Sequence, residues 1–184
     1  RPHVITGYAP PFAALVVDAN TNKILYAKSE NELRHPASVT KVMTLYMLFE
    51  QLERGKMTLD TPIRVSRHAA SMKPSKLYLS PGDEISAEDA IKALVTRSAN
   101  DVAAAIAEHI GGTESRFAEM MTAKARSIGM TRTVYANASG LPDKRQVTTA
   151  RDLVLLGRAI QERFPKYYTY FATSNFLYAG QSIC

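Results

Sequence analysis

A nearly all-apolar helix predicted from Ser38 to Leu52 constrains the fold of this chain more than any other feature. Apolar side chains recur there at the i, i+3, i+4, i+7 spacing of one helical face, and two further leucines widen that face. They are Val39, Val42, Met43, Tyr46, Phe49 and Leu52, with Leu45 and Leu48. A helix that is apolar on most of its circumference belongs inside a core. The sequence therefore predicts a buried central helix, which Gly55 is placed to end as a left-handed cap.

The length and composition allow such a core. The chain has 184 residues, of which 46% are hydrophobic and 22% are charged. This composition argues against a disordered, collagen-like or coiled-coil chain. The net charge is +6, which favours anionic partners. Because the basic residues are scattered, a solvated basic surface is favoured over a nucleic-acid groove. The single cysteine, Cys184, excludes an internal disulfide.

The rest of the chain predicts a pair of strands followed mainly by helices. The strands are predicted at Phe12–Asp18 and Lys23–Ala27, on either side of a polar turn. Four further helices are predicted from about Ser86 to Thr96, from Asp101 to Gly111, from Thr113 to Ile128 and from Thr149 to Arg163. An aromatic, partly strand-like tail follows from Tyr167 to Cys184. This order suits an α+β fold in which a helical lobe is inserted between strands of one sheet.

Ser38 and Lys41 form the first candidate catalytic pair. Residues at i and i+3 lie on one face of a helix, about 4.5 Å apart along its axis. A serine in the first turn lies in the positive end of the helix dipole. A lysine on the apolar helix is desolvated, which lowers its pKa and makes it a usable base. The structural alternative is a helix-capping serine beside a lysine whose amine reaches the solvent.

Ser98 and Asn100, in the tripeptide Ser98-Ala99-Asn100, form the second candidate. A hydroxyl and an amide two residues apart in a turn between helices can both face a cleft. The amide can orient a substrate carbonyl, and the hydroxyl can relay a proton. The same residue types are also ordinary in turns and caps. The four histidines lack metalloprotease spacing, so no metal site is expected.

Taken in order, these motifs resemble the serine D-alanyl-D-alanine carboxypeptidases, which are the low-molecular-mass penicillin-binding proteins of bacterial cell walls. The resembling segments are FAALVVDANTNKILYA at 12–27, HPASVTKVMT at 35–44, LSPGDE at 79–84, RSANDVAAAIAEHI at 97–110, YANASGLP at 135–142 and TTARDLVLL at 148–156. The resemblance implies a β-lactamase/transpeptidase-like α/β fold. An antiparallel sheet in that fold is flanked by helices, with a mostly helical lobe.

The resemblance also implies roles for the candidate residues. Ser38 is expected to attack the penultimate D-Ala carbonyl of a peptidoglycan stem peptide, and Lys41 is expected to be its base. Ser98 is expected to pass a proton to the leaving D-Ala, and Asn100 to hold the substrate amide. β-Lactam antibiotics are expected to acylate Ser38. Neither a cofactor nor a nucleic-acid partner is implied.

The sequence departs from the family pattern at two points. The middle motif has alanine at position 99 where the family commonly has glycine, which a turn with negative φ accepts. The third motif, Lys-Thr-Gly, occurs nowhere in this sequence. In the family its strand supplies an oxyanion-hole donor, and the loss of one such donor typically lowers the rate about 10²–10³-fold. We therefore expect a lead-in at 1–9 and, at 10–184, a catalytic domain that lacks its C-terminal strands.

The expected location is the bacterial periplasm or cell envelope, since the family is exported and a start at Arg1 is consistent with a removed signal. Peripheral membrane association through a C-terminal region that this sequence lacks is compatible with the family. Two other functions remain open. One is a non-catalytic cell-wall-binding protein or inactive fragment. The other is a β-lactamase, which is disfavoured because no glutamate lies between Glu119 and Glu162 to direct a hydrolytic water.

Overall fold

The computed structural model describes residues 13–18 and 20–184 of the chain. The predicted lead-in at 1–9 and the start of the first predicted strand, at Phe12, lie outside the described residues. The elements follow one another as six short strands and seven helices within this described part. They are β1 Ala14–Val17, β2 Ile24–Lys28, α1 Thr40–Glu53, β3 Pro62–Arg64, α2 Arg67–Ala70, β4 Glu84–Ser86, α3 Ala87–Arg97, α4 Asn100–Gly111, α5 Glu114–Ile128, α6 Ala150–Arg163, α7 Pro165–Tyr168, β5 Phe176–Tyr178 and β6 Gln181–Ile183.

Helix α1 is the buried central helix that the apolar pattern predicted. Eleven of its 14 residues are buried, including every residue from Met43 to Glu50. It packs against α4, whose residues from Val102 to Ala107 are all fully buried. Alanine dominates α4, so the two helices can approach closely without a large side chain between them. Gly55 follows the helix with φ +70°, as the cap prediction requires.

Three of the other long helices, α3, α5 and α6, begin where the sequence placed them, and a side-chain hydroxyl caps each of these three. Ser86 accepts a hydrogen bond from the backbone N–H of Asp89 at the start of α3. Thr113 does the same for α5, and Thr149 for α6. Each cap satisfies one of the N–H groups that the first helical turn leaves without a partner. The three caps fix the ends of the helices that surround α1.

The described strands pair antiparallel, in three separate ladders of two: β1 with β2, β3 with β4, and β5 with β6. This confirms a mixed α/β fold with antiparallel pairing, but the single sheet suggested by the element order is absent from the described residues. The β3–β4 ladder lies in the helical lobe, where β3 contacts α4 and β4 contacts α3. The sequence missed this ladder, since three-residue strands are too short to display a period of two.

The first hairpin packs on α6 through β1. All five residues of β2 are exposed, including Leu25 at 60%. The buried hydrophobic core therefore lies around α1 and α4, and the hairpin contributes little to it. None of the helices in the described ranges is long and apolar enough to cross a membrane.

Candidate active site

Ser38 lies in a 3₁₀ turn, Ala37–Val39, that leads directly into α1. The residue is exposed. Ala37 before it has φ +49°, a left-handed conformation that non-glycine residues rarely adopt and that is often found at functional sites. No side chain caps the turn or the start of α1. Ser38 therefore does not act as a helix cap in this structure, contrary to the structural alternative.

Lys41 lies in the first turn of α1 and is only 4% exposed. Its ammonium nitrogen, Nζ, donates to Asn100 Oδ1 at 2.7 Å and to the carbonyl oxygen of Ser139 at 2.7 Å. Both acceptors are neutral. Burial lowers the pKa of the Lys41 ammonium from its ordinary value of 10.5 to about 8. Lys41 is therefore not a surface lysine, and a pKa of about 8 makes about a tenth of it the free base at pH 7 and about half at pH 8.

Asn100 is the first residue of α4, and it connects Lys41 to the segment that contains Lys73 and Ser75. Its side-chain oxygen accepts from Lys41, while its side-chain nitrogen donates to the carbonyl oxygen of Lys73 at 2.8 Å. Its backbone N–H donates to the carbonyl oxygen of Ser75 at 2.8 Å. These contacts fix which end of the amide faces Lys41, and they leave one N–H of the NH₂ group for a further acceptor. The motif spacing alone did not predict the contact between Asn100 and Lys41.

Ser98 is the C-cap of α3, in the left-handed conformation with φ +51° and ψ +46°. Ala99 follows with φ −71°, so the alanine fits the turn without backbone strain, as expected for this departure from the family pattern. Ser98 is partly exposed and lies two residues before Asn100. Ser98, Ala99 and Asn100, the three residues of the second candidate motif, thus all lie at the junction between α3 and α4.

The loop at 136–141 completes the surroundings of Lys41, and no role was predicted for it from the residue pattern. Besides the Ser139 carbonyl, it presents the carbonyl oxygen of Ala138, which accepts from Thr44 Oγ1 on α1 at 2.7 Å. Gly140 has φ +88°, and a Cβ there would collide with the carbonyl group of Ala37. Only glycine therefore allows the loop to pack so closely against the turn that carries Ser38.

A cavity of about 310 Å³ lies next to this contact and is lined by residues of both segments, including His35, Ala37, Gly140 and Leu141. No group of three or more metal-ligating side chains occurs in the part of the chain that the structure describes. The arrangement is an exposed hydroxyl one helical turn from a buried amine of lowered pKa. Such a pair is suited to nucleophilic attack by the serine with the amine as base.

Comparisons with known proteins identify relatives over almost the whole chain. The family model Peptidase S11, described as D-alanyl-D-alanine carboxypeptidase, matches residues 11–183. The chain is 35% identical to D-alanyl-D-alanine carboxypeptidase DacF of Bacillus subtilis over 148 residues, which are 80% of this chain and 38% of DacF. It is 31% identical to DacC of Escherichia coli over 172 residues, which are 90% of this chain and 43% of DacC. The chain thus spans about two fifths of these relatives.

Solved structures share the fold. The D-alanyl-D-alanine carboxypeptidase DacD of Francisella tularensis aligns with a TM-score of 0.89 and 35% identity, over 100% of this chain and 45% of that protein. The penicillin-binding protein D2 of Listeria monocytogenes, in its ampicillin-bound form, aligns with a TM-score of 0.82 and 25% identity, over 93% of this chain and 70% of that protein. These likenesses match the α/β class expected from the motifs.

Proposed function

The chain belongs to the Peptidase S11 family of D-alanyl-D-alanine carboxypeptidases, and on that premise we propose that it carries the acylation centre of a serine D-Ala-D-Ala carboxypeptidase. Ser38 is the nucleophile and Lys41 is its base. Ser98 relays the proton to the leaving group, and Asn100 holds the substrate amide. The substrate is the terminal D-Ala-D-Ala of a peptidoglycan stem pentapeptide.

In the first half of the reaction, Ser38 Oγ attacks the carbonyl carbon of the penultimate D-Ala, and its proton passes to the neutral amine of Lys41. The C–N bond then breaks, and the departing D-Ala amine takes a proton from Lys41 by way of the Ser98 hydroxyl. The product is an ester between Ser38 and the shortened stem peptide. The exposed position of Ser38 allows a substrate carbonyl to reach it.

In the second half, water attacks the ester carbonyl and gives its proton to Lys41. The C–O bond to Ser38 breaks, Ser38 recovers its proton, and the tetrapeptide is released. β-Lactams enter by the first step, because ring opening forms the same ester with Ser38. Their amine remains attached to the acyl group instead of departing.

One observation carries this proposal: the burial of Lys41 at one helical turn from an exposed serine. Its two hydrogen-bond acceptors, Asn100 Oδ1 and the Ser139 carbonyl oxygen, are neutral, so no carboxylate stabilises the ammonium form. Burial lowers its pKa to about 8. A general base works best when its pKa lies near the working pH.

Labelling with a fluorescent penicillin tests the proposal. The 184-residue chain is incubated with the probe beside its Ser38→Ala variant and a Ser115→Ala control. Ser115 is an exposed serine on α5, outside the site. We expect a covalent label in the wild type and in the control, and none in Ser38→Ala. Labelling that survives Ser38→Ala would exclude Ser38 as the nucleophile.

The remaining functions are separated by two further measurements. Release of D-Ala from a pentapeptide supports the carboxypeptidase, whereas binding to purified cell walls without D-Ala release supports a non-catalytic protein. Rapid multiple turnover of a penicillin supports a β-lactamase, because a carboxypeptidase stays acylated. A bacterial cell-envelope location accompanies the proposal, and export of a tagged full-length protein tests it.

A further inference from the structure

We propose that Gln146 is a positioning residue for Lys41, acting through the loop at 136–141, which holds the Ser139 carbonyl oxygen against the Lys41 ammonium. The inference rests on the function proposed above, because it gives Lys41 a fixed partner in the acylation centre. Gln146 lies outside the residues that the motifs singled out, and it does not contact Lys41 through any hydrogen bond that the structure shows.

The side-chain amide of Gln146 is 2% exposed and makes three hydrogen bonds to the loop. Its Oε1 accepts from the backbone N–H of Ala136 at 3.0 Å and of Asn137 at 3.2 Å. Its Nε2 donates to Asn137 Oδ1 at 3.3 Å. A primary amide carries its acceptor and its donors on separate atoms, so one end accepts from two N–H groups while the other donates to a carbonyl oxygen. Gln146 therefore fixes both the backbone and the side chain of Asn137.

Asn137 passes this constraint to the turn around Ser139. Its Oδ1 also accepts from the backbone N–H of Gly140 at 2.8 Å, and its Nδ2 donates to the carbonyl oxygen of Leu141 at 2.9 Å. These bonds enclose Ser139, whose carbonyl oxygen accepts from Lys41. A continuous chain of hydrogen bonds thus connects Gln146 to the candidate base.

Gln146 is itself tied to the segment that precedes Ser38. Its backbone carbonyl oxygen lies 2.8 Å from Nδ1 of His35, within hydrogen-bonding distance. Two residues further on, Thr148 exchanges backbone hydrogen bonds with Arg34, at 2.8 Å in each direction. The approach to the nucleophile and the loop that faces the base are therefore held in register by the same stretch of chain.

The consequence is a link between this amide and the protonation of Lys41. The loop contacts the Lys41 ammonium through the Ser139 carbonyl oxygen, and desolvation by burial is the cause of the lowered pKa of Lys41. A loop released from Gln146 admits water to the ammonium. The proton affinity of Lys41 then rises toward that of an ordinary lysine.

NMR of the folded chain tests this without a substrate. Lysine is labelled with ¹³C at Cε, and the Lys41 resonance, identified by its loss in Lys41→Arg, is followed through a pH titration. Wild type is compared with Gln146→Met, which keeps the side-chain volume and removes all three bonds, and with Gln161→Met. Gln161 is exposed on α6 and is the matched control.

We expect a Lys41 midpoint near 8 in the wild type and in Gln161→Met, and a midpoint higher by about one pH unit or more in Gln146→Met. Equal midpoints in all three folded proteins would overturn the inference. If Gln146→Met does not fold, Gln146→Asn replaces it, since the shorter amide stays polar but cannot reach the loop. Failure of both to fold would also overturn the inference, because Gln146 would then be structural only.

The titration and the penicillin experiment test different proposals, so a negative result in one does not decide the other. A wild-type chain that is never acylated rejects the proposed function, while the Lys41 midpoints still decide the role of Gln146. Where acylation does occur, its pH profile in Gln146→Met should move upward by the same interval as the NMR midpoint. A lower yield of folded protein with an unchanged profile would count against a positioning role.

Discussion

In the proposed mechanism, the protonation state of Lys41 sets the rate of acylation. Burial depresses its pKa to about 8, and only its neutral form accepts the Ser38 proton. The fraction of free base grows with pH, so the rate should rise about tenfold per pH unit well below 8 and level off above it. Stopped-time labelling with fluorescent penicillin between about pH 5 and 10 measures this. A midpoint near that of an unperturbed lysine would contradict the assignment of Lys41 as base.

Two threonines one turn apart on α1 offer a matched test of how the loop is held. Thr44 Oγ1 donates to the carbonyl oxygen of Ala138, whereas Thr40 Oγ1 is buried without a hydrogen-bond partner in the described chain. Both residues are fully buried. Thr44→Val leaves that carbonyl unpaired and should lower the free energy of unfolding by about 1–3 kcal/mol. Thr40→Val should be neutral or stabilising. Equal losses in urea unfolding would contradict the anchoring of the loop by Thr44.

The sequence could predict the site residues whose spacing is local. Ser38 and Lys41 are three residues apart, and the apolar neighbours of Lys41 along the chain are enough to indicate its burial. Ser139 could not be found in this way. It contributes a backbone carbonyl, which every residue has, so no side-chain pattern marks it. Gln146 could not be predicted for a related reason, because its partners are backbone N–H groups that only the folded loop brings close to it.

At the scale of helices, two glycines should respond in opposite directions to alanine. Gly157 lies in the interior of α6, and a Cβ there would meet no atom within 4 Å. Gly157→Ala should raise the free energy of unfolding by about 0.5–1 kcal/mol, because alanine has the higher helix propensity. Gly111 ends α4, where a Cβ would lie 2.8–2.9 Å from the Phe117 backbone and Cβ in α5.

Gly111→Ala should therefore force α4 and α5 apart and lower the free energy of unfolding by about 1–3 kcal/mol. Urea denaturation of both variants beside the wild type measures the difference. Two changes of the same sign would show that helix propensity, rather than the α4–α5 contact, governs these positions.

Helices and strands could be predicted where residues close together in the sequence determine them. Helices α3, α5 and α6 begin at the hydroxyl residues where the sequence predicted their starts, since capping involves atoms only three residues apart. The β3–β4 ladder had no such signal. Its partners Ile63 and Ile85 are 22 positions apart, and each strand has three residues. Its formation depends on contacts with α3 and α4 that only the folded chain provides.

Apolar side chains are buried to very different degrees in different parts of the described chain. Helices α1 and α4 are enclosed, whereas the β1–β2 hairpin exposes Val16, Ile24, Leu25 and Tyr26 by about half or more. Leu177 on β5 is 74% exposed. Apolar burial is the main source of stability, so segments that bury little can open without unfolding the rest. The free energy of opening should therefore differ between the hairpin and the helical core.

Native-state hydrogen exchange should resolve this difference. Backbone amides of β2 should exchange through local opening, at rates that do not respond to low concentrations of denaturant, since little surface is exposed when the hairpin separates. Amides of α1 and α4 should exchange only through global unfolding, with a dependence on denaturant equal to that of the equilibrium transition. Equal protection and equal dependence for β2 and α1 would show a single cooperative unit. The proposed acylation centre then lies in the part that is expected to open last, because Lys41 lies on α1 and Asn100 on α4.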